Sequence, residues 1–573
     1  MKALGTEIPA GRGPSRAQVA GALGRPLSSP EVLGSDQIPR LIWFFMVLGI
    51  TARSVRFLLR FPLWEDESFL CVNLATRGYL ELLGPLEYDQ VAPFLFLWVQ
   101  STLVKLFGFS EFSLRLFSFA CGIGSLFLFR HLASRLLRGG ALLTAVAVFA
   151  VSYAGIRYSA EAKPYGSDLF VSLVMLALTI EWCRSPENFR WLWGLTAFLP
   201  VAIALSYPAV FVAGGMSLVA ACVLWTRRQT GGWLPWLVYN LVLVGSFLGV
   251  FALAAGRQSA SSLGVMHKFW EHTFPPLSSP WELAKWLVVT HSSEMMAYPI
   301  GGERGASTAT LVCVVVGLAI LLRRKRVTTT LWCLSPLFLT FVAACLHRYP
   351  YGGHVRLNLY MMPIFSVLAG LGGATALSWL VRARRHAPHL AMAALAALAL
   401  VAVGSIARDV WIPYKTESDL RVRAFAQWFW FNMGRESELV CLQTDWHLDF
   451  SPRSKHPLNF GALYRCNLRI YSPRHRRGLP PQLECVAPEH PLRCVRYRAH
   501  RVEYDEEAFA RWLGSMESRY DLAGRDTYPF PRFAKGEKRY LRTDYLDVYT
   551  FVPKASTASA DARARCPKRA RRP

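Results

Sequence analysis

The chain has 573 residues, 53% of them hydrophobic and only 18% charged, which is too apolar for an ordinary soluble enzyme. Its formal net charge is +26, yet the basic residues cluster between apolar stretches, at 130–138, 227–228, 323–326 and 382–385. Clustering at span ends is what the positive-inside rule produces, so the sequence reads as a polytopic membrane protein rather than a nucleic-acid binder.

Residues 1–40 are rich in Gly, Pro, Ser and Ala and lack a signal-peptide core, so they read as a flexible cytoplasmic tail. Apolar stretches then recur from Leu41 to Ala407. Spans are expected near 41–60, 113–130, 141–157, 167–182, 190–207, 209–226, 233–254, 308–322, 329–346, 358–380 and 388–406. The segment 91–107 is apolar but contains Pro93, Gln100 and Lys105. If it spanned, all four basic clusters would fall outside. Laid along the surface as a juxtamembrane helix, it returns them to the cytoplasm. The expected fold is therefore a polytopic α-helical membrane protein of about 11 transmembrane helices plus juxtamembrane helices. A C-terminal extracytoplasmic α/β domain follows, with strands at 438–443 and 545–551 and a helix at 505–516. The expected division is a tail at 1–40, a membrane domain at 41–407, the α/β domain at 408–553 and a disordered basic tail at 554–573.

With that topology three polar motifs share one extracytoplasmic face. The first is the acidic triplet Glu65-Asp66-Glu67, at the mouth of the first span. Carboxylates there are costly unless they face water and act, which suits Asp66 as a general base with Glu67 holding substrate or tuning its pKa. A like-charged neighbour raises a carboxylate's pKa, so Asp66 is expected to be raised. Asp89, in the same loop, fits either a helix cap or a substrate contact.

The second motif is Glu161-Ala-Lys-Pro-Tyr165. Pro164 suits the first turn of the next helix, and Lys163 beside that helix start makes a phosphate site, with Glu161 and Tyr165 as substrate contacts. The third is His347–Arg356, where Gly352-Gly353 permits a tight turn presenting Arg348, His354 and Arg356 to a phosphate. Asp445, His447 and Asp449, or His267, His272 and His291, are weak metal candidates without diagnostic spacing. Cys441, Cys466, Cys485 and Cys494 leave any disulfide pairing open.

The ordered set Trp64-Glu-Asp-Glu67, Asp89-Gln-Val-Ala-Pro93, the stretch Leu106–Ser118 and Glu161-Ala-Lys-Pro-Tyr165 resembles the GT-C glycosyltransferases. The bacterial branch allied to protein O-mannosyltransferases and lipid A aminoarabinose transferases is the nearest in pattern. The resemblance is good over 40–190, looser to 407 and absent beyond. It implies transfer of a sugar from a polyprenyl-monophosphate carrier to a lipid, polysaccharide or protein acceptor at the outer face of the bacterial inner membrane. It also implies Asp66 as base with inversion, and Lys163, Arg356 and Arg348 as donor-phosphate ligands. Lysine stands at 163 where the family carries arginine, which keeps the charge and loses the bidentate fork. No cofactor is implied with certainty; some relatives bind a divalent metal, for which this sequence offers no ligand set. The competing expectation is a transporter or flippase of lipid-linked sugars, which calls for broken helices and mid-membrane charge.

Overall fold

A computed structural model describes residues 22–29, 32–258, 269–381, 387–432, 439–442, 462–463, 466–471, 492–498, 506–518, 520–533 and 540–554. Apolar composition writes most of it as helix. Among the described residues, eight helices are long and apolar enough to cross a membrane. Ten helices precede residue 251: α1 (Gln37–Leu58), α2 (Glu65–Thr76), α3 (Phe94–Phe107), α4 (Glu111–Leu136), α5 (Gly139–Val151), α6 (Tyr153–Tyr158), α7 (Tyr165–Arg184), α8 (Arg190–Leu205), α9 (Ala209–Arg227) and α10 (Trp233–Val250). Further helices follow at Pro280–Ser292, Thr308–Arg323, Val327–Cys345, Met362–Val381, Ala387–Trp411 and Glu417–Asn432. Each expected span has its helix. Those at α5, α8 and Thr308–Arg323 are shorter than the other spans.

The helix α3 has 14 residues. At 1.5 Å per residue it reaches only about 21 Å, short of a ~30 Å hydrocarbon core, which agrees with a juxtamembrane reading. Trp98 Nε1 donates to the Tyr79 carbonyl at 2.8 Å, and Lys105 lies over the Tyr79 ring at 3.5 Å, tying α3 to the loop before it.

Between apolar helices in lipid, close backbone approach replaces a hydrophobic driving force, and small residues permit it. A Cβ at Gly372 would sit 1.9 Å from the Cys313 carbonyl, and one at Gly317 would sit 2.2 Å from that of Leu368. These glycines cross Thr308–Arg323 against Met362–Val381.

The N-terminal segment departs from the flexible tail expected. Over 22–29 it is docked, with Leu23 and Leu27 buried. β1 (Leu27–Ser28) pairs in parallel with β2 (Leu137–Arg138). Ala22 N–H donates to the Cys183 carbonyl at 2.7 Å, and Arg326 donates to the Leu23 carbonyl at 2.8 Å. Two buried leucines and a short strand pair hold what composition alone reads as unstructured.

At the other end of the chain, β3 (Leu439–Leu442), β4 (Leu492–Arg498), β5 (Tyr520–Phe533) and β6 (Tyr540–Pro553) form one sheet in the order β3-β4-β6-β5. β3 and β4 are parallel, and the other pairs are antiparallel. The helix Glu506–Glu517 packs Phe509 on Tyr549. The strands and helix expected at 438–443, 545–551 and 505–516 are all present.

The C-terminal part is docked on the helices that carry the acidic triplet. Val422, Phe425, Phe429, Leu463 and Leu468 share one buried cluster with Leu70, Leu74 and Phe96. The Cys466 thiol donates to the Ser68 carbonyl at 3.6 Å, and the Tyr471 hydroxyl to Glu111 at 2.8 Å. Cys485, His267 and Asp445–Asp449 lie outside the described residues.

Candidate active site

After α1 the backbone reverses at Arg60, whose φ is 49°, and runs through Phe61-Pro62 to Trp64, which caps α2. The triplet Glu65-Asp66-Glu67 is then the first turn of α2. Carboxylates are favoured there by the helix dipole. Successive residues on a helix point about 100° apart, so Asp66 and Glu67 face different surroundings.

Glu67 is turned inward and is 0% exposed. Arg115 grips both of its oxygens, Nε to Oε1 at 2.8 Å and the terminal nitrogen to Oε2 at 2.6 Å. Ala162 N–H donates to Oε1 at 2.7 Å, and Trp64 N–H to Oε2 at 3.3 Å. Arg115 also donates to the carbonyls of Phe61 and Pro62. This forked pair fastens α2, the preceding turn and the Glu161–Tyr165 loop to α4.

Asp66 is partly open, with its side chain 22% exposed. Lys163 Nζ lies 3.0 Å from Oδ1 and Arg356 lies 2.8 Å from Oδ2. Burial alone would raise this carboxyl, but the cations Lys163 and Arg356 outweigh it and hold it below its ordinary value. The expected rise through Glu67 does not occur, because Arg115 has neutralised that neighbour.

Lys163 follows α6 and stands just before α7, with Pro164 as the cap of that helix, as its sequence suggests. Its ammonium also donates to Gln90 Oε1 at 2.7 Å. Ser118 holds its carbonyl at 3.2 Å. Arg356 is presented by the turn at Gly352 and Gly353, whose φ values are 75° and 72°. A Cβ at Gly353 would meet Thr273 at 2.2 Å, so both conformation and space call for glycine there. Val355 N–H donates to Glu294 at 3.2 Å, and Arg356 N–H to His354 Nδ1 at 3.2 Å. The Arg356 guanidinium lies 5.5–6.0 Å from the rings of Trp64, Tyr165 and Trp270.

Three further expected residues fall into this set. Glu161 is ion-paired with Arg157 at 2.8 Å, which outweighs burial and keeps it below its usual value. Tyr165 packs edge-on to Tyr158 at 5.3 Å. Desolvation, with Arg356, Arg157 and Lys415 nearby, pushes His354 down to about 3, so it is neutral at physiological pH and accepts rather than donates at Nδ1. Among the described residues, Glu161 Oε2, Tyr158 Oη and Arg356 Nε are buried here without a hydrogen-bond partner. Such atoms are costly unless a ligand meets them.

Two expected residues are not brought in. Arg348 is exposed and makes no ion pair among the described residues. Its loop leaves the helix Val327–Cys345 several residues before the glycine turn, so it does not share the turn's aim. Asp89 is exposed at a φ of 51°, and α3 is capped by Pro93, not by Asp89. Gln90, Trp64, Arg157 and Lys415 belong to the site instead. Trp64 and Gln90 lie inside the quoted motifs and Arg157 four residues before one, whereas nothing in the sequence around Lys415 marks it.

No group of three or more His, Cys, Asp and Glu side chains converges among the described residues. The oxygens of Asp66 are already taken by two cations, a donor set that does not fit a divalent metal. The site is instead a positive basin: Lys163, Arg356, Arg157 and Lys415 surround the carboxylates of Asp66 and Glu161. It suits an anion.

Residues 91–248 match the family described as dolichyl-phosphate-mannose-protein mannosyltransferase. The chain is similar to the crystal structure of ArnT from Cupriavidus metallidurans bound to undecaprenyl phosphate, at 12% identity and a TM-score of 0.44 over 88% of this chain and 97% of that one. It is also similar to the oligosaccharyltransferase of Archaeoglobus fulgidus in the apo form, at 12% identity and a TM-score of 0.40 over 75% of this chain and 65% of that one. No curated protein matches it by sequence. The family match runs from α3 into α10 of the helical body.

Proposed function

We propose that the chain moves a sugar from a polyprenyl-monophosphate carrier to an acceptor hydroxyl at the extracytoplasmic face of the bacterial inner membrane, with inversion. The observation that carries this reading is Asp66 held between Lys163 and Arg356. The matched family is named for a donor of this class, dolichyl phosphate mannose. The membrane body over 41–407 acts as the catalytic part, and 408–553 forms the extracytoplasmic domain.

Asp66 supplies the anion for both cations. The negatively charged donor phosphate competes for Lys163 and Arg356, and drawing them away frees Asp66 and lets its pKa rise. Asp66 then takes the proton of the acceptor hydroxyl as its oxygen attacks the anomeric carbon. The bond from that carbon to the phosphate oxygen breaks, and its electron pair leaves on polyprenyl phosphate. Lys163 and Arg356 stabilise the developing charge in a sheltered site, where such contacts are strong. Glu67 does not touch substrate in this scheme. It fixes the turn that aims Asp66.

The test is purified protein in detergent with a panel of polyprenyl-phosphate sugars and a crude membrane extract as acceptor source, following release of polyprenyl phosphate. A general base contributes about 10²–10⁴-fold, so Asp66→Asn should lower release at least roughly 100-fold while the protein stays folded. Near-normal turnover in that variant removes Asp66 as base. No release from any donor, together with movement of intact lipid-linked sugar across proteoliposomes, establishes the flippase instead.

A further inference from the structure

We infer that Lys415, on the segment joining the helix Ala387–Trp411 to the C-terminal domain, completes the anion site: its ammonium lies over the Trp64 ring and closes onto the phosphate of the lipid-linked donor. The inference rests on the proposed transferase reading and adds a ligand from outside the matched region 91–248.

The other cations of the basin are engaged. Lys163 and Arg356 are paired with Asp66, and Arg157 with Glu161. Lys415 makes no ion pair among the described residues and is exposed, its ammonium lying over the Trp64 ring. Arg157 and Arg356 face the same ring at 6.0 and 5.8 Å. Three cations around one indole repel one another, and an anion placed among them relieves that repulsion.

The position of Lys415 is built rather than incidental. Thr416 caps the helix Glu417–Asn432, accepting from Asp419 N–H at 3.2 Å, while Thr416 N–H donates to Asp419 Oδ2 at 3.0 Å. That helix buries Val422, Phe425 and Phe429 in the cluster that also holds α2. The residue before the cap is therefore fixed beside the residue before the acidic triplet. A four-carbon stem lets the ammonium swing from Trp64 to a phosphate without moving the backbone.

Although the residue as a whole is exposed, its ammonium is desolvated against Trp64. This desolvation and the field of Arg157 hold the Lys415 ammonium down to about 8, with Arg356 acting in the same direction and Glu161 and Asp66 opposing. Asp419, raised to about 7 by burial, and His354, lowered to about 3, are the other shifted groups nearby. The sign follows. Lys415 is charged below about 8 and loses its charge as pH rises through that value. The donor's phosphate is a diester with a single charge, and the second ionisation of the monoester probe, polyprenyl phosphate, falls near pH 6, so neither titrates over that upper range.

The experiment measures binding of polyprenyl phosphate to the full-length protein in an uncharged detergent from acid to alkaline pH. Wild type, Lys415→Arg and Lys415→Gln are compared, with inorganic phosphate and phosphatidylglycerol as separate probes. Wild-type affinity should fall about tenfold as Lys415 discharges, the scale of one lost charged hydrogen bond. Lys415→Arg should hold its affinity at high pH. Lys415→Gln should bind about tenfold more weakly at low pH and lose the alkaline step, with an unchanged melting midpoint. Equal binding and an equal pH profile for Lys415→Gln and wild type would overturn the inference and leave the transferase reading intact. Equal affinity for phosphatidylglycerol would overturn it in favour of a bulk headgroup site. A wild type that binds no polyprenyl phosphate under any condition removes both readings together.

Discussion

Asp66 and Glu67 are neighbours in the chain and opposites in the fold. Glu67 lies at 0% exposure, with each oxygen paired to Arg115 and a backbone N–H donating to each as well. Asp66 stands at the open basin, held by two cations from loops roughly 100 and 290 positions away in sequence. One ion pair is closed and saturated, and the other is open and shares its space with unsatisfied groups. The difference teaches that a carboxylate's role follows from what its partners could otherwise bind. Among the described residues Arg115 has only backbone carbonyls as further hydrogen-bond partners, whereas Lys163 and Arg356 belong to a basin where Glu161 Oε2 and Tyr158 Oη lack one.

The contrast breaks most visibly at the buried pair. Glu67→Gln leaves the Arg115 charge uncompensated and should destabilise the protein by about 3–5 kcal/mol, read as loss of folded yield and melting temperature in detergent. Asp66→Asn should keep the melting temperature within a few degrees and lose about 100-fold or more in turnover. If Asp66→Asn unfolds and Glu67→Gln merely slows, the two roles are exchanged.

Next in size are the cations. Lys163→Met and Arg356→Met should each lower kcat/KM about 10–100-fold, the scale of one hydrogen bond to a charged group. Lys163→Arg, which restores the residue of the resembled family, should lose less than about tenfold.

Smaller still is a displacement between two pH profiles. The ion pairs keep Asp66 below its ordinary value, and in the proposed mechanism donor binding releases it. The acid limb of kcat/KM reports the free enzyme and that of kcat the complex, so the kcat limb should lie at higher pH. In both profiles activity falls as pH drops through the Asp66 pKa, because the base must be ionised. Coincident limbs would show that the cations do not leave Asp66. The smallest effect belongs to Arg348→Ala, expected to stay within about twofold, since an exposed arginine without an ion pair resembles a weak surface charge.

Local pattern carried the helices because each needs only its own run of apolar residues. The strands at Leu439–Leu442 and Tyr540–Pro553 were legible for the same local reason. The docking of 22–29 was not, since burial of Leu23 depends on Arg326 and Cys183 far along the chain. Within the site, Asp66, Lys163, Arg356, Glu161, Tyr165 and His354 were marked by motif, and the fold gathers all six. Arg348 and Asp89 carried similar signals and stay outside. Their spacing could not report which side of a turn they would face.

By itself the sequence determined a membrane-embedded helical body and the chemical kinds available at one end of it: carboxylate, ammonium, guanidinium and aromatic rings. Hydropathy and charge act through the solvent, residue by residue, and need no partner to be read. Only the tertiary structure decided that Arg115 closes on Glu67, that Lys163 and Arg356 meet at Asp66, and that Lys415 reaches Trp64 from beyond the last span. Ion pairing is a matter of a few ångströms between side chains, and sequence separations of that length do not encode such distances.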